Sequence, residues 1–312
     1  MANEFRTLDS HSAEYFGDTR DYWWNADFLE LMGRRLALDR VRDMLDVGCG
    51  VGHWGQLLAG LVASDARIEG IDRDPLWVDQ AAARAAARGM GARCKYQVGV
   101  AETLPFADAS FDLVTCQTLL IHVRDPVAVI AEMARVARPG GLVLVAEPNN
   151  RAGALILDSI SFNDPVDEVL ACVRLQMLCE RGKAALGEGN NSIGDLVPGF
   201  FAQCGLVDIR VHLSDKTNVT LPPYDTLQQR AMLDERGDLL RRDFWIWSRA
   251  DTHRYFVAGG GQVGEFDALW SHAMSGGERF DEAVAAQTYA GSGAAVSYLV
   301  AGRKPAYQPA SR

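Results

Sequence analysis

From residue 41 the chain alternates short apolar runs with amphipathic stretches, the pattern of a parallel sheet crossed by helices. "VRDMLDVG" predicts a first strand, "RIEGID" a second ending at Asp72, "CKYQVG" a third, "FDLVTCQ" a fourth and "LVLVAEP" a fifth. Between the first two, "HWGQLLAGLV" sets Trp54, Leu57, Leu58 and Leu61 on one helical face. Asp74 can cap the next helix with Pro75 at its first position, and Gly89 stops it. Asp125 and Pro126 open a further helix, "VAVIAEMARVAR", which "PGG" at 139–141 ends.

After residue 150 the rhythm changes. Helical stretches and the loop "GEGNNSIGD" fill 151–199, then "LVPGFFAQCG" and "LVDIRVHL" restore a helix and a strand, and "AVSYLVAGRKP" is the last clear strand. The stretch between Leu213 and Ala295 is many times the length of an ordinary strand connection, so most of 214–292 reads as an inserted helical cap. It holds Trp245, Trp247, Tyr255, Phe256, Phe266 and Trp270. Such a cluster either forms the core of the insert or lines a pocket for an apolar or planar substrate.

Thirty-one basic residues against 41 acidic ones give a net charge of −10, with no lysine- or arginine-rich block to neutralise a row of phosphates. This argues against a nucleic-acid partner. Cysteines at 49, 94, 116, 172, 179 and 204 show no C-x-x-C pairing, which fits a reducing cytoplasm. The polar N-terminus and the lack of any run near the roughly 20 apolar residues of a membrane span predict a soluble, untargeted chain without membrane association.

The chemistry gathers at "LDVGCGVGHWG", residues 45–55. Glycines at 48, 50 and 52 allow positive φ and bring the backbone close to a ligand, while the next helix offers free N–H groups. A dinucleotide-binding turn looks much the same. Asp46, two positions before the first glycine, points instead to a cationic group, since a pyrophosphate would be repelled. Asp72 at the end of the second strand suits the two hydroxyls of an adenosine ribose.

With "GIDRDP", "GVAETLPFADASFDLVTCQTLLIHVRDP" and "VARPGGLVLVAEPN" following in order, the chain resembles the class I S-adenosylmethionine-dependent methyltransferases over about residues 41–150. Within them it is most similar to the small-molecule branch of methyltransferase types 11 and 25. The resemblance implies an α/β fold: a Rossmann-like seven-stranded sheet with an antiparallel last strand, plus an N-terminal helical lid and the inserted cap. It divides the chain into a lid at 1–40 and a cofactor-binding core at 41–150 completed by 194–213 and 293–306. Segments 151–193 and 214–292 are then substrate caps.

The resemblance further implies S-adenosyl-L-methionine as cofactor and S-adenosyl-L-homocysteine as product. It puts the methionine part near Asp46, Gly48, Cys49 and Gly50, with Trp54 beside them, and the ribose on Asp72. Arg73, Ala101 and Glu102 flank the adenine, and Gln117 and Thr118 lie at the amine end. Many relatives have aspartate where this chain has Val100, which cannot accept a hydrogen bond from adenine. From the segment ahead of the first strand, Tyr15 and Arg20 can reach the cofactor carboxylate.

A sulfonium methyl is already activated, so the protein mainly aligns the acceptor, and a base is needed only for a protonated nucleophile. His122 is the first candidate base and Glu147, at the carboxyl end of the fifth strand, the second. Each has a plain structural alternative: His122 closing its loop, Glu147 orienting "EPNN". The "EPNNR" and "EGNNS" loops can offer oxygen ligands to a cation, but asparagine pairs are commoner as turn formers, and no metal is assigned. The expected activity is O-, N- or C-methylation of a small molecule, as in secondary metabolism, by a monomer or homodimer. The competing readings are a non-catalytic S-adenosylmethionine sensor or scaffold and a nicotinamide oxidoreductase.

Overall fold

The computed structural model describes residues 18–293 and 295–306. A short 3-10 turn, Asp18–Tyr22, leads into α1 (Ala26–Leu36), which buries Phe28, Leu29 and Met32 against the sheet. The sheet then builds outward from β1 (Asp43–Val47) and β2 (Arg67–Asp72), joined by α2 (His53–Leu58). Helix α2 stops at Leu58, short of the predicted Val62; Trp54 and Leu58 are buried, whereas Leu57 and Leu61 only flank the core.

Helix α3 (Pro75–Ala87) starts as its sequence requires, with the Asp74 carboxylate accepting from Leu76 N–H and Pro75 needing no partner. It leads to β3 (Cys94–Val98), then β4 (Phe111–Gln117). Asp125 likewise caps α4 (Pro126–Val136) by accepting from Ala128 N–H. The "PGG" segment does not end that helix. α4 stops at Val136, and β5 (Ala137–Asn149) takes in Arg138–Gly141. The cause is tertiary: Ala137 pairs with Phe111, and the register shift between Phe111 and Leu113 absorbs the extra residues.

A single turn, α5 (Asn150–Gly153), is followed by the long α6 (Val166–Ala185), α7 (Val197–Gln203) and β6 (Val207–Leu213). Helices α8 (Leu227–Arg241), α9 (Arg249–Ala258) and α10 (Phe266–Ala285) occupy the insertion before β7 (Val296–Arg303). The sheet order is β3-β2-β1-β4-β5-β7-β6, with β7 antiparallel to both neighbours and the other pairings parallel.

Helices α6 and α9 cross at two glycines. A Cβ at Gly182 would lie 1.7 Å from Tyr255 O, and one at Gly259 would lie 1.9 Å from Leu178 O. Around this crossing Leu175, Cys179, Trp247, Tyr255, Phe256 and Trp270 form a common core. The two non-sheet segments therefore pack as one body beside the sheet. No helix among the described residues is long and apolar enough to cross a membrane.

Candidate active site

Two cavities lie at the carboxyl ends of β1, β2, β4 and β5. The first, about 340 Å³, is built on the turn after β1, where Gly48, Gly50 and Gly52 have φ of 65°, 50° and 73°. Gly48 is also constrained by space, since a Cβ there would sit 2.6 Å from Leu119 Cδ1. Asp72 Oδ2 accepts from Gly50 N–H (2.9 Å) and its Oδ1 from Asp74 N–H (3.1 Å), so this carboxylate shapes the turn as well as facing the cavity.

Asp46 is buried and accepts from Gly55 N–H through Oδ2 (2.9 Å). Its Oδ1 is buried with no hydrogen-bond partner among the described residues. Burial pushes its carboxyl up to about 7, opposed by the Gly55 N–H and reinforced by the Asp72 charge. An unsatisfied acid of this kind is relieved by a cation.

The structure brings the predicted cofactor residues Arg20, Asp46, Gly48, Cys49, Gly50, Trp54, Asp72, Arg73, Ala101, Glu102, Gln117 and Thr118 to this one cavity. Tyr15 lies outside the described residues. Trp54 donates its indole N–H to Thr115 Oγ1 (2.8 Å) and packs on Trp24, with ring centroids 5.3 Å apart. Arg20 lies over the Trp23 ring at 5.3 Å, and burial lowers its guanidinium from the usual range. His53 meets Asp21 at 3.1 Å; burial and Arg84 lower its imidazole to about 4, so it is neutral at physiological pH.

The second cavity, about 410 Å³, is mainly aromatic and aliphatic: Trp23 and Trp24 on one wall, and Phe244, Trp245, Ile246 and Trp247 from the insertion on another. The aromatic cluster of the insertion thus divides, with Tyr255, Phe256, Phe266 and Trp270 in its own core. Gln117, Thr118 and His122 belong to the walls of both cavities. Thr118 holds φ of 49°, rare for a β-branched residue and an example of local strain where two sites meet.

Glu147 lines the second cavity, and its Oε1 accepts from Leu119 N–H (2.8 Å) and Leu120 N–H (2.7 Å). It therefore orients the turn carrying His122 rather than "EPNN". Burial pushes its carboxyl up to about 8, opposed by these backbone donors, so at neutral pH it is largely a neutral acid. The asparagine loops are occupied by structure: Asn149 caps α5, Asn150 Nδ2 donates to Asn191 O (2.6 Å), and Glu188 pairs with Arg254. Among the described residues no group of three or more His, Cys, Asp or Glu is placed to hold a metal.

Lys183 and Lys216 are absent from the sequence-derived candidates. Lys183 is buried at 1% exposure and donates to Ile121 O (2.8 Å), holding the same turn from α6. Burial lowers its ammonium to about 8, against the pull of Glu180, Glu188 and Glu147. Its signal in the sequence is spacing: Leu175, Cys179 and Lys183 lie four apart, which sets a lysine on the buried stripe of a helix. Lys216, in the loop after β6, lines the second cavity and has no comparable pattern.

A parallel α/β sheet with an antiparallel β7 between β5 and β6, and a glycine turn opening onto a cavity, defines a Rossmann-like fold closed by a reversed strand. The methyltransferase domain family model matches residues 45–145. A ubiquinone biosynthesis O-methyltransferase of Xanthomonas euvesicatoria is 34% identical over 167 residues, covering 49% of this chain and 67% of that protein. A demethylmenaquinone methyltransferase of Geobacillus kaustophilus is 35% identical over 124 residues, covering 40% and 51%. The chain belongs to the class I S-adenosylmethionine-dependent methyltransferases. It spans only 35% to 51% of the length of several curated relatives. At the level of fold, it matches a chain of a Haloferax volcanii complex containing the Trm112 methyltransferase activator, with TM-score 0.50 and 16% identity over 98% of this chain and 99% of that one.

Proposed function

We propose that the protein transfers a methyl group from S-adenosylmethionine to a small-molecule acceptor, with the glycine-turn cavity as donor site and the aromatic cavity as acceptor site. The observation that carries this reading is the common wall of the two cavities at Gln117, Thr118 and His122. A pure sensor needs only the first cavity; the large adjoining one favours an enzyme over a sensor or scaffold. A nicotinamide cofactor fits less well, because the unsatisfied Asp46 oxygen would face a diphosphate.

The donor-site residues fit S-adenosylmethionine: Asp46 offers its unsatisfied oxygen to a cationic group, Asp72 and Glu102 offer acceptors, and Arg20 offers a cation for a carboxylate. When bound, this cofactor supplies an electrophilic methyl group. His122, in both walls, is the residue we assign to accept a proton from a hydroxyl, amine or acidic-carbon acceptor. Glu147 and Lys183 position its turn from β5 and α6. In this reading the described N-terminal residues 18–40 serve as part of a lid, and segments 151–193 and 214–292 serve as caps around this pair of sites.

Incubation with labelled S-adenosylmethionine and fractionated metabolites, followed by mass analysis, tests the proposal: a labelled product and released S-adenosylhomocysteine are expected. His122→Ala is expected to slow turnover by about 10²-fold or more while sparing cofactor affinity measured by calorimetry. Asp72→Ala should instead weaken cofactor binding. Tight cofactor binding with no product from any fraction would support the sensor reading.

A further inference from the structure

The aromatic cavity has a polar corner with an unusual balance of donors and acceptors. Lys216 Nζ donates to Gln228 Oε1 (3.3 Å), and Gln228 Nε2 donates to Asn218 Oδ1 (3.1 Å). The lysine fixes the orientation of this chain, because an ammonium can only donate; reversing the Gln228 amide would set donor against donor. Gln228 thus engages one lone pair of the Asn218 amide oxygen and leaves the Asn218 amide N–H groups to donate elsewhere. The Lys216 ammonium likewise keeps two of its three N–H donors beyond the bond to Gln228.

The charges in the wall point the same way. Asp251 is engaged by Ser248 Oγ (2.9 Å) and Arg254 (3.0 Å), whereas among the described residues no carboxylate lies within ion-pair distance of Lys216 Nζ. Burial lowers the Lys216 ammonium from the usual lysine range, with Asp215 opposing that shift. The other carboxyl in the wall, Glu147, is largely a neutral acid at pH 7 and is engaged by Leu119 and Leu120 N–H. A partly desolvated cation and an amide donor, set in a cavity whose largest wall groups are aromatic, match a ligand with a flat apolar body and a negatively charged oxygen group.

We infer that the acceptor cavity takes a planar apolar molecule bearing an anionic oxygen group, such as a carboxylate, which is held by Lys216 and Asn218. This substrate class rests on the reading of the aromatic cavity as the acceptor site. The test uses the full chain and two probes of equal shape, 2-naphthoate and 2-naphthamide, titrated by quenching of the tryptophans that line the cavity. Naphthoate is expected to bind about tenfold more tightly than naphthamide. Lys216→Met should abolish that preference, weakening naphthoate far more than naphthamide, while Lys216→Arg should retain it.

Equal binding of both probes by the natural protein, failure of both to bind, or an undiminished preference in Lys216→Met would overturn the inference. Calorimetry with S-adenosylhomocysteine separates it from the methyl-transfer reading. Homocysteine-product binding without the naphthoate preference would remove the anion corner alone. A preference that survives without S-adenosylhomocysteine binding would remove the methyl-transfer reading alone.

Discussion

Burial raises the Asp46 carboxyl to about 7, so it is about half ionised at neutral pH, and a bound cation favours its ionised form. Cofactor affinity should therefore rise with pH up to about 7 and level off above it. Between pH 6 and 7.5 a gain of about eightfold is expected, and Asp46→Asn should remove most of it. Calorimetry in paired buffers checks this, together with the proton released on binding. Glu147 gives a second pH effect of opposite practical sense. Its native carboxyl is raised from 4.5 to about 8, so the unfolded chain loses that proton first. Stability from this group is present below about pH 4.5 and is lost as pH rises through about 8. Urea unfolding at pH 5 and pH 8 should show a smaller loss in Glu147→Gln than in the natural protein. At this scale the sequence is legible wherever a residue acts through its own neighbours, as Asp46, Gly50 and Asp72 do around one turn. Lys216 was not legible, because its partners Gln228 and Asn218 lie in an insertion whose path follows no short-range rule.

The elements are legible where local chemistry decides them. "RIEGID" and "FDLVTCQ" coincide with β2 and β4, and the Asp-Pro openings of α3 and α4 form the expected caps. The reading failed at Arg138–Gly141, where pairing with a neighbouring strand outweighs a Pro-Gly-Gly signal that looks like a helix stop. It also missed that the loop after α6 presses on the turn carrying His122. Gly189 has φ of 94°, and a Cβ there would lie 2.2 Å from Ile121 O and 3.0 Å from His122 C. Backbone on both sides cannot yield as a side chain would. Gly189→Ala should cost on the order of 1–3 kcal/mol of stability, measured by denaturant titration. Because it moves the turn and not the glycine loop, it should lower turnover more than cofactor affinity.

Across the whole molecule, the N-terminal segment joins the two cavities to the insertion. Thr19 is buried and donates to Glu235 of α8, while Arg20 lines the glycine-turn cavity and Asp21 meets His53 in its wall. Thr19→Val should loosen this strap, weakening cofactor binding by about 2- to 10-fold and speeding proteolytic cleavage ahead of α1; unchanged cleavage would count against it. The break in strand rhythm after residue 150 and the long stretch before β7 are visible in pattern alone. The sequence could not show that 151–193 and 214–292 come together, because that depends on two distant glycines at a crossing with no side-chain signature. That crossing also has a consequence for the wall of the aromatic cavity. Gly182 and Gly259 set the spacing of α6 and α9 in a core that includes Trp247, which also lines the aromatic cavity. A methyl at either glycine would meet backbone of the facing helix, so neither position admits a larger side chain unless the two helices part.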